Sequence, residues 1–268
     1  MDTLERGVIP YPLGGMGNQM FIISAAYVAH KVAECPLYLL QPLSTKNPHN
    51  KKSRNYNKSL FKYFGKHLPF SMHSAHFIDS LNYIIAAPSC FDVWHAESVL
   101  PGTMFRSHFQ YYPPLARYED ELRKLFVKGL ADFPLKDYSD CAFLHVRRGD
   151  YLGLTNCRQL TDDYYREAVK FLPNVRKIMI ISNDPDWVKE QAFFKDPLFE
   201  EFVSDDELET MALMSKCTAG AICANSTYSW WGAFLGAYGS RNPVVVPRTW
   251  FFKDDVPADL FPKEWITV

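Results

Sequence analysis

The chain has 268 residues, 47% of them hydrophobic and 22% charged, the profile of a globular protein with room for two modest domains. A net charge of −1 excludes the basic excess of a protein that tracks a nucleic-acid backbone, so an anionic ligand has to be held by a few placed cations. Six cysteines without a C-x-x-C pair read as buried thiols, and no apolar run reaches the roughly 18–20 residues that cross a bilayer.

Val8 to Tyr11 forms a short apolar strand that runs into the turn Gly14-Gly15-Met16-Gly17. A helix over about 18–32 follows, with Met20, Ile23 and Ala26 or Tyr27 at core spacing. A strand over 37–40 comes next, and the polar stretch 42–59, rich in Lys, Asn and Ser, reads as a long loop. Strand-like runs return at 83–87 and 103–109, and a helix over about 116–128 closes this half. A polar turn with Pro134 marks the boundary and divides the chain into residues 1–135 and 136–268.

The second half alternates regularly. Strands are expected at 141–146, 177–181, 199–203, 219–224 and 243–247, with helices after Thr161, from Pro185, over 206–216 and over about 228–238. The strands are apolar along their length, which predicts a parallel sheet covered on both faces. Two such α/β halves form a cleft between them, and in open α/β sheets ligands bind at the carboxyl ends of the strands. The chemistry-bearing motifs all fall at such ends.

His145-Val146-Arg147-Arg148-Gly149-Asp150-Tyr151 directly follows a strand. Adjacent arginines there need an anion or a carboxylate, and a guanidinium matches phosphate bidentately. The alternative is an Arg–Asp pair, with Asp150 tying down the loop. Asn225-Ser226-Thr227 follows the strand at 219–224 and opens a helix. Helix N-terminal amides and hydroxyls make an anion site, although Ser226 or Thr227 also serves as a plain cap. The Trp230–Trp231 pair behind them reads as core. The glycine turn before Asn18 lacks the third glycine of a dinucleotide fingerprint, which disfavours NAD. Asp184-Pro185-Asp186 resembles a metal-holding Asp-x-Asp motif but reads as a capped helix start.

Taken in order, GGMGNQMF, HVRRGDY and NSTYSWWGAFLG resemble the inverting fucosyltransferases of glycosyltransferase family 11, typically α-1,2-fucosyltransferases. GTMFRSHFQYY, SNDPDWVK, ETMALMSKC and VVVPRTWF extend the resemblance over most of the chain. It implies a GT-B type fold of two facing Rossmann-like domains, an acceptor-side N-terminal domain and a GDP-sugar donor in the C-terminal one. It implies GDP-fucose as donor, a galactose-containing glycan as acceptor, no metal and no other cofactor.

Carried onto this chain, the resemblance makes Arg147 the residue that neutralises the donor diphosphate, with Arg148 assisting it or fixing the loop. Asn225, Ser226 and Thr227 contact the phosphates, and His145 lies near the nucleotide. Gly15, Gly17, Asn18, Ser182 and Asp184 complete the expected donor-binding set, and Arg147, Asn18 and Asp150 the expected catalytic one. Asp150 and His145 are both candidates for a general base, while Asn18 orients a hydroxyl without taking its proton. No signal peptide or membrane anchor is apparent, so a cytoplasmic location is expected. The competing reading is a non-catalytic nucleotide-sugar or glycan-binding protein on the same fold.

Overall fold

The computed structural model describes residues 6–11, 13–41, 70–74, 83–86, 88, 92–155, 157–250 and 259–268. The expected loop at 42–59 lies outside them. The described residues fall into two compact units, the first reaching Gly129 and including Asp259–Pro262, the second running from Leu130 and including Lys263–Val268.

The first unit opens with β1 (Ile9–Pro10), α1 (Met16–Ala33), β2 (Leu37–Gln41), β3 (Phe70–Ser74), β4 (Ile84–Ala86) and β5 (Thr103–Phe105). Every pairing is parallel: β5 lies between β1 and β4, β2 pairs with β3, and a Val8–Leu37 bridge links β2 to β1. From Gln19 to Ala29 every side chain of α1 is buried, the polar Gln19 and Ser24 included, so the helix is a core element and not a surface amphipath. It ends at Glu34, in the left-handed region at φ 49°, with its N–H on the His30 carbonyl. A helical turn α2 (Pro113–Ala116) begins on two prolines. In α3 (Glu119–Leu130) three acidic residues fill the first turn and Lys128 the last, matching the helix dipole, while Leu122, Phe126 and Leu130 bury one face.

The second unit contains β6 (Cys141–Val146), α4 (Asp162–Val169), β7 (Lys177–Ser182), α5 (Pro185–Glu190), β8 (Phe199–Glu201), α6 (Glu207–Lys216), β9 (Gly220–Ile222), α7 (Thr227–Leu235), β10 (Val244–Val246) and β11 (Ile266–Thr267). The described strands form one parallel sheet in the order β11-β10-β9-β6-β7-β8. Interior β6 is buried at all six positions, as its unbroken apolar run requires. The order reverses at β6: β7 and β8 extend to one side, β9 and the later strands to the other. The crevice between the β6 and β9 ends is therefore a topological switch point, where ligands of such sheets bind.

Trp230 and Trp231 are fully buried in α7, which settles both rings as core. The α6–α7 packing is close because α7 carries and is followed by glycines. A Cβ at Gly232 would meet the Met214 side chain, and one at Gly236 would lie 2.5 Å from the Met214 carbonyl oxygen.

The elements follow the expected pattern with several differences, the helical turn α2 among them. The strand expected over 103–109 stops at Phe105, because Phe109 takes a left-handed φ of 50° and the Tyr111 N–H turns back to the Phe109 carbonyl. The strands β3 and β11 are additions: β3 lies in a stretch without legible pattern, and two-residue β11 is stabilised by its register with β10, Ile266 beside Val245. Among the described residues no helix is long and apolar enough to cross a membrane.

Gly236→Ala should destabilise the protein by about 1–3 kcal/mol, because its methyl group meets backbone that a rotamer change cannot clear. Urea unfolding of the variant beside the parent measures this, and an unchanged midpoint would contradict the close approach.

Candidate active site

Three loops at the carboxyl ends of adjacent strands build the site: residues 147–151 after β6, 182–184 after β7 and 225–227 after β9. Arg147 and Arg148 occupy different environments within it. Arg148 Nε lies 3.2 Å from Asp184 Oδ2, and its guanidinium sits 4.4 Å from the centre of the Trp187 ring. Ion pair and cation–π contact together hold it against α5. Arg147 has different partners. Its Nη2 lies 2.8 Å from the Asp150 carboxylate oxygens, its guanidinium 5.3 Å from the Tyr151 ring centre, and its buried Nε has no hydrogen-bond partner among the described residues. Arg148 thus fixes the loop, and Arg147 retains donor capacity beyond its one carboxylate.

Asp184 anchors this arrangement. One carboxylate oxygen takes the Arg148 guanidinium and the other accepts the Trp187 N–H as the N-cap of α5, with Pro185 at the first helical position. Ser182 Oγ accepts the Asp184 N–H at 2.9 Å and closes the turn. Both residues therefore carry local structural tasks. Asp186 points away, its side chain 93% exposed, as a capped helix start predicts for that position. Asn183 lies between them and also enters the site. Its Oδ1 accepts the Arg148 N–H at 2.9 Å and its Nδ2 donates to Asp150 Oδ1 at 3.2 Å.

Across the switch point, Ser226 caps α7 by accepting the Tyr228 N–H, and Thr227 is the first helical residue. Asn225 is buried and points inward. Its Nδ2 donates to the carbonyls of Arg158 and Trp250, at 2.8 and 2.9 Å. The Tyr151 hydroxyl donates to the Asn225 carbonyl at 3.0 Å and ties the arginine loop to the helix N-terminus. Burial pushes the Tyr151 phenol up to about 12, so it is a donor at every working pH.

His145 differs most from a general base. It is 3% exposed, its ring packs 5.8 Å from that of Tyr228, and burial with the nearby Arg147 charge pushes its pKa down to about 3. Such an imidazole is neutral and weakly basic at neutral pH, which removes it as a proton acceptor in catalysis.

Gly15, Gly17 and Asn18 belong to the first unit. Gly14 supplies the left-handed turn at φ 71°, and Gln19 Nε2 donates to its carbonyl at 2.9 Å. Gly15 precedes α1 with open space where a Cβ would be, and Gly17 is buried within the helix. Buried Gln110, after β5, donates to Asn18 Oδ1 at 2.9 Å. Gln110, beside Asn18 in the first unit, and Asn183, beside Asp150 in the second, are the neighbours of predicted residues that motif reading missed. Each lies inside a motif, but its partners are distant in sequence.

The fold defines a doubly wound α/β protein with a cationic site at a switch point. The sequence pattern of glycosyl transferase family 11 matches residues 102–268, more than half of the chain, and the chain belongs to that family. The match includes the arginine loop and the α7 N-terminus; the Gly14–Asn18 turn lies outside it. Over 163 residues the chain is 34% identical to the O-antigen biosynthesis glycosyltransferase WbnK of Escherichia coli, covering 56% of this chain and 52% of that one. It is 27% identical over 171 residues to an alpha-1,2-colitosyltransferase of Escherichia coli, covering 56% and 57%. The chain thus spans little more than half the length of these curated relatives. The crystal structure of the fucosyltransferase NodZ from Bradyrhizobium aligns with a TM-score of 0.51 and 11% identity, over 87% of this chain and 94% of that one, and shares its fold. The α/β fold of GT-B type, with parallel sheets, is therefore the fold of this chain.

The buried His145 predicts an acid-sensitive stability. Its folded pKa lies below the ordinary value near 6.5, so between these values the unfolded chain binds the extra proton and folding weakens as pH falls. The slope approaches about 1.4 kcal/mol per pH unit for this one group. Urea unfolding at several pH values should show a shallower acid loss for His145→Gln than for the parent; parallel curves would contradict the assignment.

Proposed function

We propose that the chain transfers L-fucose from GDP-fucose, with inversion at the sugar C1 and without a metal, to a glycan hydroxyl, the 2-hydroxyl of a terminal galactose. Family membership and the name of the alpha-1,2-colitosyltransferase relative support an α-1,2 linkage. The observation that carries the reading is Arg147. It is a half-buried arginine at the switch point, in a loop that Tyr151 ties to a helix N-terminus, and its Nε has no hydrogen-bond partner among the described residues.

An acceptor hydroxyl attacks C1 opposite the departing GDP. Positive charge develops at the sugar ring and negative charge at the leaving phosphate. Arg147 and the first amides of α7 meet that negative charge in a site where they need little reorganisation. No divalent ion is required for this step, because the guanidinium supplies the charge. Asp184 is already committed to Arg148 and the α5 cap. Asp150 acts on Arg147 rather than on the acceptor, both its oxygens being close to the Arg147 guanidinium. Acceptor deprotonation then comes late, in a loose transition state without a strong base, the hydroxyl proton passing to solvent water. We assign donor binding to the second unit and acceptor binding to the first, with Asn18 as a residue that holds an acceptor hydroxyl.

With GDP-fucose and a galactose-terminated glycan, Arg147→Ala should lose at least about 10³-fold in rate, the scale of an arginine charge clamp. Its circular dichroism and melting temperature should match the parent. Linkage analysis of the parent's product, with a colitosyl donor tried alongside GDP-fucose, tests the donor. A product without fucose, or an active Arg147→Ala, would overturn the proposal, and binding of GDP-fucose without turnover would favour a non-catalytic protein.

A further inference from the structure

Arg147 can act on a leaving phosphate only if its guanidinium points in a fixed direction, and the ion pair with Asp150 fixes it, at 2.8 Å. Asp150 in turn sits in a turn that needs its own support. That support comes from the next strand. Asn183 receives the Arg148 N–H on Oδ1, at 2.9 Å, and donates through Nδ2 to Asp150 Oδ1, at 3.2 Å. The two contacts have opposite polarity and so define the orientation of the amide. The reverse orientation would set donor against donor at Arg148 and acceptor against acceptor at Asp150. Gly149 completes the arrangement: a Cβ there would lie 2.6 Å from Asn183 Nδ2. The glycine leaves room for the asparagine.

We infer that Asn183 is a positioning residue for transfer: through the Asp150 carboxylate it sets the direction of the Arg147 guanidinium, and Gly149 is glycine to admit it. This rests on the reading of Arg147 as the residue that meets the donor diphosphate. Asn183 never touches the reacting atoms in this scheme. The amide is required because it is the one side chain of this shape that accepts from Arg148 and donates to Asp150 while carrying no charge. An aspartate would keep the shape and the first contact but set a second carboxylate against Asp150. Among the described residues, the charged groups around that pair include Arg147, Arg148 and Asp184, and the Tyr151 phenol and Cys157 thiol also lie near Asp150. The arginines favour the ionised forms and Asp184 opposes them. Two carboxylates this close hold one shared proton as pH falls, and the protonated oxygen then donates as the amide did.

The test is the kinetics of Asn183→Asp and Asn183→Ala with GDP-fucose, between about pH 5 and about pH 8, each as a ratio to the parent at the same pH. Asn183→Asp should have kcat/KM about tenfold or more below the parent at the alkaline end, and the gap should close toward the acid end. Because Asn183 is exposed, Asn183→Ala should lose only about 3–10-fold, with no pH dependence in the ratio. Equal melting temperatures separate positioning from simple loss of fold. If Asn183→Asp does not fold, Gly149→Ala displaces the amide instead, and its kinetic loss should be non-additive with that of Asn183→Ala. A pH-independent deficit for Asn183→Asp, parent-like kinetics in the Asn183 variants, or additive losses would overturn the inference. An active Arg147→Ala would instead overturn the functional reading beneath it, so the two failures are distinguishable.

Discussion

Two adjacent guanidinium groups at the end of a buried strand are the constraint from which the rest of the second unit follows. β6 is buried along its whole length and ends on Val146, so Arg147 and Arg148 begin where the sheet stops. Like charges so placed are costly unless each has its own partner. The chain supplies the partners from different directions. Asp184 and the Trp187 ring take Arg148; Asp150, three residues on, takes Arg147. Asp184 also starts α5, so the helix, the turn after β7 and the arginine loop share one carboxylate. Loss of that group would disturb all of them together.

This division makes one arginine structural and leaves the other available. A guanidinium already gripped by a carboxylate and an aromatic face has little freedom to follow a ligand. One with a single carboxylate partner and an Nε that meets no acceptor among the described residues has capacity left. The sheet order places that arginine where the strand direction reverses, between the ends of β6 and β9. The Tyr151 hydroxyl draws the loop to the start of α7. A leaving diphosphate would meet a fixed cation and oriented amides there, the combination that stabilises developing negative charge.

Local patterns were legible wherever neighbours in sequence decide the structure. The apolar run 141–146 became β6 residue for residue, and the Asp-Pro pair at 184–185 started a helix as capping predicts. Trp230 and Trp231 went to the core. The features that sequence did not show share a cause. Burial of His145 comes from its place on a central strand beside the Tyr228 ring, and the end of β5 from the left-handed Phe109. Asn183 and Gln110 reach partners more than thirty residues away, which no spacing rule reports.

Alternation of strand and helix, the placement of motifs at strand ends, and the presence of two adjacent arginines just after a buried strand were determined by sequence alone, because periodicity, caps and charge act over a few residues. Tertiary structure decided which arginine is tied down, which asparagine faces inward, and which histidine is withheld from solvent. Those outcomes depend on strand order and cross-sheet packing, where hydrogen bonds and burial join groups that the chain itself keeps far apart.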